Sequence, residues 1–180
     1  MKSKCEMLLS WLEHEKVSTA KMLDWFNSVP TENQTDPRFT QALQLAAHLA
    51  ACRENWLDRI LTTGQNQTDW WPKDAKLEDL PSRFESTLSG WQAFLENQTD
   101  QSLSQDFDFY GVTRGQRWNI EAQAMQMVGH SFYHRAQISL LITQLGGTPE
   151  DTDYLYWRIQ QEPARWHALE LPRIEAAEES

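Results

Sequence analysis

The sequence predicts an all-α protein, a four-helix bundle with a short fifth helix and a small hairpin between the third and fourth long helices. Four long stretches carry apolar residues at the three- and four-residue spacing that gathers them on one helical face. Proline or paired glycine punctuates the ends of those stretches. Extended-chain chemistry is confined to one short segment, Phe107 to Trp118.

The first helix is expected over about Glu6 to Val29, where Leu8, Leu12, Met22, Leu23 and Phe26 form a stripe flanked by Trp11 and Trp25, and Pro30 stops it. Asp36-Pro37 opens the second. The carboxylate accepts from the unpaired N–H groups of the first turn, and proline lacks the N–H that this turn leaves without a partner. This helix runs from Pro37 to about Leu61, with His48 near its middle. Thr62 to Lys76 is a polar connection containing Gly64 and Trp70-Trp71-Pro72, longer than the usual link between neighbouring helices and long enough to cross over the bundle.

Leu80, Phe84, Leu88, Trp91 and Leu95 then give the cleanest helical stripe, which tolerates Gly90 at a cost of about 1 kcal/mol. Aromatic and β-branched residues around glycines from Phe107 to Gly115 predict the hairpin, a minor element. The fourth long helix is expected from about Asn119 to Leu145, ending at Gly146-Gly147, with Met127, His130, His134, Gln137 and Leu141 on one stripe. Thr148-Pro149-Glu150-Asp151 is read as the cap of a short fifth helix through Arg158. Pro172 to Ser180 is glutamate-rich, with no large apolar group after Ile174. The expected organisation is one domain over residues 1–171 and an acidic tail over 172–180.

A chain of 180 residues that is 40% hydrophobic suits one domain with a substantial core. A net charge of −10 and a pI near 4.9 argue against a surface for nucleic acid or anionic membrane, both of which call for clustered Lys and Arg. No apolar run approaches the ~20 residues of a membrane span, and the start, Met1 to Glu6, lacks a signal-peptide core. A soluble cytoplasmic protein is expected. Cys5 and Cys52 are too few for a disulfide framework and are read as reduced thiols.

The sharpest chemical signal is His130-Ser131-Phe132-Tyr133-His134. Imidazoles four residues apart on a helix have Cβ atoms roughly 5–6 Å apart, close enough to converge on one cation. His48 interrupts the apolar run Leu45 to Cys52, and a buried imidazole needs a hydrogen bond, a water or a metal. By pattern alone the pair is either a metal site or two ordinary helix histidines, and His48 by itself reads as structural. Three imidazoles would leave a position for water or substrate, as catalytic zinc sites do, and nickel, iron or manganese also accept imidazole.

Ser131 stands where metalloprotease helices carry their glutamate, which removes the zincin reading. Cys52 is either a thiolate ligand or a small buried hydrophobe. Gln137 and Asn55 are either partners that fix imidazole tautomers or ordinary buried amides. Arg135 and Arg114 either orient an anionic substrate or pair with acidic neighbours. Glu54 points away from His48 around the helix, His14 is read as part of a solvated face, and His167 as exposed.

His48-Leu49-Ala50-Ala51-Cys52-Arg53-Glu54-Asn55-Trp56-Leu57 together with His130-Ser131-Phe132-Tyr133-His134-Arg135-Ala136-Gln137-Ile138, followed by Gly146-Gly147-Thr148-Pro149 and Asp153-Tyr154, resembles the DinB-like family of metalloenzymes over most of the chain. Ala136 departs from the glycine that many relatives carry after the arginine, a difference of packing more than of chemistry. The resemblance implies an up-down-down-up bundle with Thr62 to Lys76 as crossover, and His48, His130 and His134 as ligands of a divalent metal. It also implies an activity, since members with assigned roles use the metal to activate a low-molecular-weight thiol against an electrophile.

The expected function is therefore a divalent-metal-dependent enzyme, thiol transferase-like, with zinc or nickel ahead of iron or manganese and a low-molecular-weight thiol as cosubstrate. A metal-dependent hydrolase is the second choice. The opposing expectation is a noncatalytic metal- or ligand-binding bundle acting through a dimer or partner contact made by its tryptophan-rich surface. Expected partners are a small-molecule substrate and, in a homodimer, a second copy, with no nucleic acid or membrane.

Overall fold

Ser3 and Glu6 start the first helix, α1 (Lys4–Asn27), two residues ahead of the sequence expectation. Their side chains form a reciprocal capping box, each accepting from the other's backbone N–H. The computed structural model describes residues 3–61, 68–110 and 115–163. Its secondary structure is overwhelmingly helical, as the all-α expectation requires, and the second long helix, α2 (Pro37–Leu61), has the predicted bounds. Next come α3 (Leu80–Glu96), a single turn α4 (Asp100–Leu103), a hairpin of β1 (Asp106–Tyr110) and β2 (Gly115–Asn119), the long α5 (Ile120–Gln144) and the short α6 (Tyr154–Gln161). Two 3-10 turns, Thr31–Asn33 and Leu77–Asp79, lead towards α2 and α3. Among the described residues no helix is long and apolar enough to cross a membrane.

Helix α1 packs on α3 and α5, and α2 packs on the same two. The core between them takes Leu8, Met22 and Phe26 from α1, Phe84, Leu88 and Trp91 from α3, and Ile138 and Ile142 from α5. Helix α2 contributes small residues, Ala42, Ala46, Ala47 and Ala50, all with no exposed surface. Side chains this short keep α2 slim where it enters the core. Gly90 has a related role: a Cβ there would lie 3.0 Å from Leu57 Cδ2, so its absence allows α2 and α3 to meet.

Helix α5 begins at Asn119, whose side chain accepts from Ala122 N–H, and ends in a complete Schellman motif. Gly147 N–H reaches the Ile142 carbonyl at 2.9 Å and Gly146 N–H the Thr143 carbonyl at 3.0 Å, with Gly146 left-handed at φ 82°. The expected start of the fifth helix is corrected. Residues 149–153 are non-helical, because the Asp151 carbonyl accepts from Lys21 and the Thr152 carbonyl lies 3.0 Å from His14 Nε2, both on α1. Asp153 caps α6 instead, accepting from Leu155 N–H at 2.7 Å.

The tryptophan-rich surface is also corrected. Of the described tryptophans only Trp71 and Trp118 are exposed, while Trp25 and Trp91 are in the core and Trp11 stacks on Tyr154 of α6 at 3.7 Å between ring centroids. The acidic tail, His167, Arg114 and part of the 62–76 connection lie outside the described residues.

Candidate metal centre

The close approach of α2 and α5 brings His48, His130 and His134 together. Their ring centroids are 5.1 Å apart for His48 and His130, 4.9 Å for His48 and His134, and 4.5 Å for His130 and His134. His48 and His134 are buried and His130 half-buried. Ring contact between residues 82 and 86 positions apart in sequence is a product of helix packing, in which α2 and α5 lie side by side.

Hydrogen bonds assign the free nitrogen in two of the three rings, those of His48 and His134. The Trp70 carbonyl lies 2.5 Å from His48 Nδ1, and since a carbonyl only accepts, Nδ1 carries the proton and Nε2 keeps its lone pair. Gln137 Oε1 does the same for Nδ1 of His134 at 2.7 Å. Carbonyl and amide partners of this kind orient metal-ligating histidines. His48 Nε2 then faces His130 Nε2 at 3.1 Å. Two imidazole nitrogens sharing one tetrahedral ion at about 2.0–2.1 Å each lie roughly 3.3–3.4 Å apart, so the donor spacing fits a cation of that size.

Among the described residues, His48, Cys52 and His130 form a group whose ligand atoms all lie within 4.8 Å of one another. His134 joins by ring contact and stands outside that group. Cys52 Sγ lies 3.5 Å from His48 Nε2 and 3.6 Å from Nδ1. Burial pushes the Cys52 thiol up to about 12, with Arg53 next to it opposing the shift.

Burial lowers the proton affinity of all three imidazoles. His130 is pulled down to about 4, by burial first and then by His134, His48 and Arg53. In His48 and His134 burial outweighs the opposing bonds to Trp70 and Gln137. The rings are thus held neutral, the form that binds metal.

The outer wall of the site comes from the connection after α2. Trp71 stacks flat on the His48 ring, 3.6 Å between centroids and 6° between planes, and is 52% exposed. Behind it, the Arg59 guanidinium lies against the rings of Trp56, Trp70 and Phe109 at 4.9, 4.6 and 5.2 Å. Phe109 belongs to the hairpin, so β1 helps to hold the Trp70 carbonyl on His48. Asn55, one turn from Cys52, ties the same connection by donating to the Thr68 carbonyl at 3.0 Å.

Beneath the histidines lies a buried ionic cluster. Glu15 of α1 accepts from Arg53 of α2 at 2.6 Å and from Arg135 of α5 at 3.1 Å, and Arg53 also donates to Ser131 Oγ at 2.8 Å. All four residues are buried. The substrate-orienting alternative for Arg135 is therefore replaced by the pairing one, since its guanidinium is enclosed. His14 is also corrected: it is fully buried, bonded through Nε2 to the Thr152 carbonyl and Ser18, and packed against Phe132, Tyr154 and Trp157. Glu54 engages Arg83 of α3 at 2.6 and 2.7 Å.

The cluster left a trace in the sequence. Glu15 lies on the α1 stripe Leu8, Leu12, Thr19, Met22, and Arg53 extends the α2 stripe Ala42, Ala46, Leu49, so each is a charge on an otherwise core-facing row. Trp70 left none, because its contribution is a backbone carbonyl.

No curated protein and no solved structure matches the chain. The model of the DinB family matches residues 1–165. That match takes in the two helices that carry His48, His130 and His134, the glycine-capped end of α5 and α6, and by it the chain belongs to the DinB family.

Proposed function

We propose that this protein is a divalent-metal-dependent enzyme whose His48, His130 and His134 hold one ion and which transfers a low-molecular-weight thiol, or water, to a small electrophilic substrate. The observation that carries this reading is the tautomer arrangement. Trp70 and Gln137 occupy the Nδ1 protons of His48 and His134, and this leaves Nε2 lone pairs for a cation. Zinc and nickel suit an imidazole-rich set, with iron or manganese as further candidates. A bound divalent ion supplies the Lewis acidity that keeps a thiol deprotonated at neutral pH.

The chain's own residues supply position and enclosure. Arg53, Glu15 and Arg135 lock α1, α2 and α5 together below the rings, Trp71 covers one face of His48, and half-buried His130 marks the side open to solvent. The packing of α1 and α2 each against α3 and α5 supports the up-down-down-up bundle of the family, in which such a site lies between facing helices.

Elemental mass spectrometry on protein purified without an affinity tag or chelator tests the reading. Near-stoichiometric metal in the wild type, lost in His48→Ala and in His130→Ala, is the expected result and justifies a screen of thiol-transfer substrates. Trace metal unaffected by either substitution, together with failure to load Zn²⁺ or Ni²⁺, rejects it.

A further inference from the structure

Both helices that meet at the site carry a donor pair at i, i+4: His130 and His134 on α5, and His48 and Cys52 on α2. At this spacing side chains are stacked on one helical face, so each pair can address the same point from its own side. The metal reading above uses three of the four. The fourth, Cys52, is 3% exposed, and its sulfur contacts both ring nitrogens of His48. The other cysteine behaves differently, since half-buried Cys5 donates to the Gln98 carbonyl at the far end of α3.

We propose that Cys52 is a ligand of the divalent ion, bound as a thiolate beside His48 and His130. The inference rests on the metal-binding reading and adds a sulfur donor to it. A nitrogen and a sulfur sharing one tetrahedral ion, at about 2.0–2.1 and 2.3 Å, lie roughly 3.5–3.6 Å apart. Cys52 Sγ is 3.5 Å from His48 Nε2 but also 3.6 Å from Nδ1, so it rests beside the ring and its side chain turns towards His130 to reach the ion; it belongs with His48 and His130 to the group whose donor atoms are mutually within 4.8 Å. On coordination the S–H bond breaks, its electron pair goes to the cation and the proton leaves to solvent. Metal uptake therefore releases one proton from sulfur. A thiolate selects for borderline and soft cations, Zn²⁺, Co²⁺, Ni²⁺ or Fe²⁺, over Mn²⁺ and Mg²⁺. Room for a substrate then comes from expansion to five-coordination, as catalytic zinc sites allow.

The test is an anaerobic titration of the chelator-stripped full chain with Co²⁺, followed by absorption. Visible d–d bands accompanied by a near-ultraviolet thiolate-to-cobalt charge-transfer band are expected in the wild type. The band is retained in Cys5→Ser and lost in Cys52→Ser, which still shows d–d bands from its histidines. Wild-type d–d bands without charge transfer, or loss of that band in Cys5→Ser, overturn the thiolate ligand and leave the histidine site standing. Absence of any Co²⁺ band in the wild type overturns both. The wild-type and Cys5→Ser spectra decide the matter even where Cys52→Ser does not fold.

Discussion

Glu15 shows how a single residue far from the chemistry sets its geometry. Among the described residues it is the carboxylate that pairs with two enclosed guanidiniums, and those guanidiniums follow Cys52 and His134 in the chain. Burial alone would push its carboxyl up, but Arg135 and Arg53 hold it below the usual carboxylate range. Glu15→Gln keeps the shape and removes the charge, leaving Arg53 and Arg135 buried without compensation. Losing one partner of a buried ionic set costs about 3–5 kcal/mol, and a stability loss of that size is expected from urea unfolding. A loss under about 1 kcal/mol, the value of a surface pair, would show that water reaches the cluster.

Individual elements are held by features that single residues make testable. Gly129, inside α5, and Gly147, just past its end, make opposite demands. A Cβ on Gly147 would sit 2.6 Å from Ile142 Cγ2 and 2.9 Å from Ser28 Oγ, whereas one on Gly129 meets nothing within 4 Å. Gly147→Ala is therefore expected to destabilise by about 1–3 kcal/mol through overpacking of the turn after α5, which packs on Ser28 at the end of α1. Gly129→Ala should stabilise by about 0.5–1 kcal/mol, because alanine loses less backbone freedom in a helix. Thermal melts of the two variants check both signs, and destabilisation by Gly129→Ala would mean that the open face of α5 is covered in solution. The hairpin is less minor than its length suggests, since Phe109 and Arg59 brace Trp70 against His48.

For the molecule as a whole, the depressed histidines predict acid sensitivity. His14, His48, His130 and His134 all take up protons less readily in the fold than at the ordinary value of 6.5. Below that pH the unfolded chain binds more protons than the folded one, so stability is fully present above about 6.5 and is lost as pH falls towards about 4. A cation bound to neutral imidazoles adds to this slope, because a ligand of the native state at a hundredfold excess over its Kd contributes about 2.7 kcal/mol. The melting temperature should fall between about pH 7 and pH 5, and the increment from added Zn²⁺ should shrink over the same interval. A melting temperature that is flat with pH, and unmoved by Zn²⁺ at neutral pH, contradicts both the buried neutral rings and their metal.

Local pattern was enough to read the helices, since the 3.6-residue repeat, Asp36-Pro37 and Gly146-Gly147 act within a few residues of themselves. The sequence by itself determined the four long helices, the bounds of α2, the hairpin and the family resemblance that singled out His48, His130 and His134. Tertiary structure alone decided what those residues touch. It drew the Trp70 carbonyl onto His48, put His48 and Cys52 within reach of His130, buried His14, turned Arg135 inward to Glu15 and moved the start of α6 to Tyr154. The physical reason is range: capping and periodicity are local, whereas burial, ion pairing and ring orientation depend on which helices come to lie side by side.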